Sequence, residues 1–127
     1  METVIAVKAF IFKNDKLLLV KRHQNDTHCP NVWEVPGGRI EKNENKINGL
    51  QREVKEETGL EVIIKNSFAT ENFVRENGQP VKMTHFICEY SGGEVKLSEE
   101  HCDYEWVDKK DVPNKISKFF IYAFNKL

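Results

Sequence analysis

The chain has 127 residues, a formal net charge of −1, 39% hydrophobic and 31% charged residues. That length fits one domain with a core of its own, residues 1–127. The near-zero charge gives no general attraction to nucleic acid or anionic lipid, and no apolar run approaches the ~20 residues that cross a bilayer. The start, METVIAVKAF, lacks a basic region and a small-residue cleavage site, so it reads as a strand and the expected location is cytoplasmic.

In chain order, Val4–Phe12 alternates partly and is rich in β-formers, Asn14-Asp15 supplies a turn, and Leu17–Lys21 returns as the second strand of a hairpin. A polar loop from Arg22 to about Asn31 precedes a short strand at Trp33–Val35, which Pro36-Gly37-Gly38 stops. A helix is expected over about Asn45–Thr58, capped by Asn43 or a neighbour, with Gly59 in the left-handed position that ends it. Then come Glu61–Thr70 and Phe73–Arg75 as one long strand or two short ones, a turn at 76–79 and a strand at Val81–Tyr90. Ser91-Gly92-Gly93 breaks that strand. A polar loop over Ser98–Asp103 leads to a strand at Tyr104–Val107. Ile116, Phe119, Phe120, Ala123 and Phe124 recur at helical spacing and predict an amphipathic C-terminal helix. The result is an α/β (α+β) pattern, a mixed sheet with helices on both faces.

The three cysteines, Cys29, Cys88 and Cys102, are odd in number and form no CxxC pair. They read as reduced thiols. The neighbours His28-Cys29 and His101-Cys102 match none of the usual zinc spacings.

The helix over 45–58 carries the chemistry. At about 100° per residue, Ile47, Leu50 and Val54 share one face, the expected core side, while Glu53, Glu56 and Glu57 crowd the adjoining arc. Like charges four apart destabilise a helix by roughly 0.2–0.5 kcal/mol, acidic groups near its C-terminus oppose the dipole, and Gly49 costs about 1 kcal/mol relative to alanine. One explanation is a solvated acidic face with Arg52 paired to Glu56. The other is a divalent cation, Mg²⁺ above all, that neutralises the carboxylates, with Gly49 leaving room for a loop or substrate.

Gly38, Glu44 and the run Arg52-Glu53-Val54-Lys55-Glu56-Glu57-Thr58-Gly59-Leu60 together resemble the complete Nudix box, GX5EX7REUXEEXGU, in which U is a bulky aliphatic residue. Trp33-Glu34-Val35-Pro36-Gly37-Gly38 resembles the entry segment of MutT-like members, and Glu105-Trp106 falls in family order. The resemblance implies a Nudix-fold α/β/α sandwich, with the box helix on one face of the sheet and the C-terminal helix on the other. It also implies hydrolysis of a nucleoside diphosphate linked to another moiety, by water attack on phosphorus with Mg²⁺ or Mn²⁺. Carried over, Glu53, Glu56 and Glu57 bind metal with the carbonyl of Gly37. Glu100, with Glu99 beside it, stands for the loop carboxylate, and either Glu53 or the loop Glu is the general base. Gly38, Glu44, Arg52 and Gly59 are structural.

Arg22, Arg39 and His28 are candidates for phosphate contact, against a plain reading as solvent-exposed or loop residues. Trp33 is a candidate for base stacking, against simple packing. Arg75 stands where ADP-ribose enzymes carry a proline downstream of the box, Gly78 where dinucleoside polyphosphate enzymes carry a tyrosine, and the NADH pyrophosphatase segment is missing. By elimination the leading substrate is a (d)NTP, split to (d)NMP and pyrophosphate. The alternatives are a nucleotide sugar, a dinucleoside polyphosphate, an RNA 5′ triphosphate end, or a non-catalytic nucleotide-binding module. Specificity for 8-oxoguanine does not carry over directly, because Val35 replaces a phenylalanine, and Asn114 is either a base reader or a helix cap. The expected partner is a nucleotide-type small molecule, with no DNA-binding surface and no membrane, in a monomer or homodimer.

Overall fold

A computed structural model describes residues 1–27 and 30–127. His28 and Cys29, and with them the expectation for His28, lie outside the described residues. The strands are β1 (Val4–Lys13), β2 (Lys16–Arg22), β3 (Trp33–Glu34), β4 (Gly37–Arg39), β5 (Glu61–Val74), β6 (Pro80–Gly92) and β7 (His101–Asp108). Helix α1 spans Lys46–Thr58 and helix α2 spans Ile121–Phe124. The strands form one sheet in the order β3-β2-β1-β6-β5, with β4 also pairing β1 and β7 also pairing β2. β1 and β6 run parallel, from Val4 opposite Val81 to Phe12 opposite Glu89, and the other pairs are antiparallel. The sheet is therefore mixed, as the sequence predicts.

Both faces are covered, which is why Leu17–Val20 is a continuous apolar run rather than an alternating one. Val7, Ala9, Ile11, Leu18 and Val20 face one core with Leu50 and Val54 of α1. Phe10, Leu17 and Leu19 face the other, with Val35, Val107, Val112, Ile116, Phe120 and Ala123. The two-residue turn Asn14-Asp15 joins β1 to β2, with Asn14 in the left-handed region.

Several boundaries differ from expectation. The α1 cap is Asn45, whose Oδ1 accepts the Asn48 amide at 2.8 Å, while Asn43 is left-handed outside the helix. Gly59 ends α1 in the left-handed conformation as expected, its N–H donating to Lys55 O. Ile47 is 43% exposed and stands off the core face that Leu50 and Val54 occupy. Gly37-Gly38 does not merely stop a strand: it forms β4 against Val7 and Lys8 of β1, where a side chain would not fit. Residues 61–74 make one long strand whose ladder slips at three places.

The continuous C-terminal helix is absent. Residues 109–114 and 118–120 form 3₁₀ turns, and only one turn of α-helix follows. Aromatic and β-branched residues are modest helix formers, and Ser117 turns its hydroxyl onto the Phe119 amide instead of continuing a helix. Phe119, assigned to the buried stripe, is 44% exposed and meets Phe73 edge-to-face.

Leu50, like Val54, is a fully buried contact of α1 with the sheet. Leu50→Ala is expected to lower unfolding stability by about 2–5 kcal/mol, read from urea denaturation.

Candidate active site

Three backbone features bring the acidic residues together. The chain after β6 is tied to the end of α1, where Lys96 and Ser98 donate their N–H groups to the carbonyls of Thr58 and Glu57 at 2.7 and 3.1 Å. That delivers Glu100 and His101 beside Glu57. β4 lies on the other side, where the Gly37 N–H donates to Glu57 Oε1 at 3.3 Å. Gly38 faces Glu53 so closely that a Cβ there would sit 2.7 Å from Glu53 Oε2.

Glu57 is only 6% exposed. Burial pushes its carboxyl up to about 8, against the pull of Lys8 and of the Gly37 N–H; Glu100 and then Glu53 push it further. A buried carboxyl whose burial outweighs the pull of its cationic neighbour is one whose ionised form wants a further positive ion. Ligand atoms of Glu57, Glu100 and His101 lie within 4.8 Å of one another.

Arg52 organises the outer side. Its Nε and Nη2 donate to the two oxygens of Glu44 at 2.7 and 3.0 Å, and Nη1 donates to Glu53 and Glu56 at 3.1 Å each. It also donates to the carbonyl of Arg39 at 3.2 Å. The Arg52 hydrogen bond, with help from the Glu41 amide, holds the Glu44 carboxyl at about 2. Glu56 is exposed on this outer side and outside the Glu57 cluster. Gly49 clears space for Ile40 Cδ1 and Glu44 Oε1, which a Cβ would meet at 2.4 and 2.9 Å. The room it provides is thus taken by the preceding loop.

Behind Glu57 lies a charge network. Glu34 Oε2 accepts from Arg22 Nη1 at 3.0 Å and from His101 Nε2 at 2.8 Å, and Oε1 faces Lys8 Nζ at 3.8 Å. Burial opposes ionisation of Glu34, yet Lys8, the His101 hydrogen bond and Arg22 hold its carboxyl down at about 2. Arg22 also grips Asp26 at 2.7 Å, so its guanidinium is shared between two carboxylates. Arg39 is exposed. Trp33 is half-buried in the second core, with Lys115 Nζ 4.1 Å from its ring centre. Asn114 is exposed at the end of a 3₁₀ turn, and the next turn is capped by Ser117.

His101 is the residue the sequence analysis missed. It was assigned to a polar loop, but it starts β7 and is 3% exposed. The available signal was its place next to Glu100, one strand residue beyond the loop carboxylate.

The model of the NUDIX domain family matches residues 2–124. The chain belongs to the Nudix family. This Nudix chain is 31% identical to the ADP-ribose pyrophosphatase of Methanocaldococcus jannaschii, over 89% of its own length and 66% of that protein's. It is 26% identical to the nucleoside triphosphatase NudI of Escherichia coli K12, over 80% of each chain. Among solved structures it resembles the MutT protein of Methanosarcina mazei Go1 at a TM-score of 0.84 and 29% identity, covering 98% and 94% of the two chains. Fold class and enzyme class thus agree with the sequence expectation, and the named relatives differ in what they act on.

Two outcomes are expected. Glu57 keeps its proton to about 8 in the folded chain but releases it near 4.5 when unfolded, so the unfolded state binds fewer protons between those values. Its contribution to stability is full below pH 4.5 and is lost as pH rises through 8. Without divalent cations, thermal melts should therefore show Tm falling over that window, with a flatter profile in Glu57→Gln. Added Mg²⁺ should raise Tm more at pH 8 than at pH 5.5. Separately, Gly38→Ala should displace the Glu53 carboxylate and cut turnover at least tenfold while the far-UV circular dichroism stays unchanged.

Proposed function

We propose that this Nudix chain is a Mg²⁺-dependent pyrophosphohydrolase, acting most readily on a (d)NTP to release (d)NMP and pyrophosphate. The observation that carries the reading is the buried Glu57 carboxyl, crowded by Glu100 and Glu53 and braced by the Gly37 amide. Glu53, Glu57 and Glu100, with the carbonyl of Gly37, would hold the cation, and Glu56, bonded to Arg52 on the outer side, would join them by turning inward. The donor set fits, because hard divalent ions prefer carboxylate and carbonyl oxygen. When bound, such an ion neutralises non-bridging phosphate oxygens and lowers the pKa of water.

The chain's own residues supply the rest. Arg52 holds Glu53 by a hydrogen bond, so the carboxylate is oriented before substrate arrives. Either Glu53 or Glu100 takes the proton of the attacking water. Arg39, exposed at the end of β4, offers a positive charge to the phosphates. Trp33, half-buried at the second core, would be the ring for base stacking, and Arg22 acts chiefly through Glu34, to which it is bonded.

The similarity to a nucleoside triphosphatase and to a MutT protein supports a triphosphate substrate. A second reading, ADP-ribose, is favoured by the 31% identical ADP-ribose pyrophosphatase, although Arg75 occupies the position of that class's proline.

The test is a Mg²⁺ hydrolysis screen of (d)NTPs, ADP-ribose, nucleotide sugars and dinucleoside polyphosphates. A phosphate signal from a (d)NTP that requires added inorganic pyrophosphatase, and that drops at least a hundredfold in Glu57→Gln, is the expected result. Release of AMP from ADP-ribose alone would shift the substrate assignment. Undiminished turnover by Glu57→Gln would refute the metal assignment.

A further inference from the structure

Two buried side-chain nitrogens of histidine, His85 Nδ1 and His101 Nδ1, have no hydrogen-bond partner among the described residues. A buried polar atom left alone costs free energy, so each calls for an explanation. His85 is packed among the rings of Phe10, Phe68 and Phe120 and belongs to no cluster of potential ligands among the described residues. His101 is different, because its imidazole joins the Glu57 and Glu100 carboxylates in a cluster whose ligand atoms lie within 4.8 Å of one another.

The other nitrogen of His101 is already assigned. Nε2 lies 2.8 Å from Glu34 Oε2, and an ionised carboxylate only accepts, so Nε2 carries the hydrogen. That leaves the lone pair on Nδ1, which is buried and has no hydrogen-bond partner among the described residues. Glu34 is itself fixed by Arg22 at 3.0 Å and faces Lys8 at 3.8 Å, so the imidazole cannot easily turn away. A carboxylate that holds one ring nitrogen while the other meets a cation is the usual support of a histidine ligand.

We propose that His101 coordinates the divalent cation through Nδ1, together with Glu57 and Glu100, so that this chain's centre is a mixed nitrogen–oxygen site. This rests on the hydrolase reading above and adds a residue outside the Nudix box to the cation site. A nitrogen ligand does little for Mg²⁺, which favours oxygen, and much for first-row ions such as Mn²⁺ and Co²⁺. The site therefore discriminates among metals by more than an all-carboxylate site would.

The experiment is pulsed electron paramagnetic resonance of Mn²⁺ bound to the full chain grown with ¹⁵N-histidine, alongside calorimetric Mn²⁺ and Mg²⁺ titrations. A ¹⁵N coupling to bound Mn²⁺ that vanishes in His101→Gln is expected. Mn²⁺ affinity should fall at least tenfold in that variant, while Mg²⁺ affinity stays within about threefold, on the scale seen for metal-site neighbours. If His101→Gln does not fold, the coupling must persist in His23→Gln, His28→Gln and His85→Gln, and its loss in any one of them overturns the assignment. Mn²⁺ that binds in a Glu57-dependent way without any histidine coupling overturns the histidine ligand and leaves the hydrolase reading standing. Failure of Mn²⁺ and Mg²⁺ to bind overturns both.

Discussion

The carboxylate of Glu34 is the point on which the site depends. It is buried, yet it meets Arg22 from β2, His101 from β7 and Lys8 from β1. Four strands are thereby pinned at one charge, since Glu34 itself ends β3. Removing a buried ion costs far more when its partners stay behind, so this arrangement tolerates little change at any member. Its consequence is positional. His101 sits where Glu34 holds it, and the chain through Glu100 follows.

Glu57 lies on the other side of Lys8's influence and shows the opposite balance. Glu34 has enough positive neighbours to stay ionised, and Glu57 does not. The same lysine thus acts on one carboxylate satisfied by protein and one left to be satisfied by something else. Arg52 keeps the outer glutamates from the same predicament by bonding Glu44, Glu53 and Glu56 at once. Stability and chemistry are divided between two faces of the same helix.

Much of this was legible in the sequence. The Gly38–Leu60 spacing carried the family, and the uneven alternation of strands with two helical stretches carried a mixed sheet covered on both sides. Glu100 was placed by its distance from Glu105-Trp106, and it does stand against Glu57. What escaped was whatever depends on tertiary partners. Ile47 has helical spacing for the core, but α1 is rotated so that Leu50 and Val54 take the sheet. The C-terminal stripe is helical in period, yet Ser117 and the aromatic crowding divide it into short turns. His101 looked like a loop histidine because nothing local announces Glu34, which is 67 positions away in the chain. Gly49 was rightly marked as a clearance, but its occupants are Ile40 and Glu44, side chains of the segment before the helix.

The long outer strand, β5, has a further implication. It is the last strand on its side of the sheet, much of its length is exposed, and its pairing with β6 slips near residues 61, 65 and 68. An unpaired strand edge of that length is an invitation to join another chain's sheet. Each slip bends the strand and interrupts the regular comb of free amides and carbonyls, and the charged Lys65 stands at one of them. Such irregularities make the open edge a poorer template for intermolecular sheet extension than a regular strand of the same length would be.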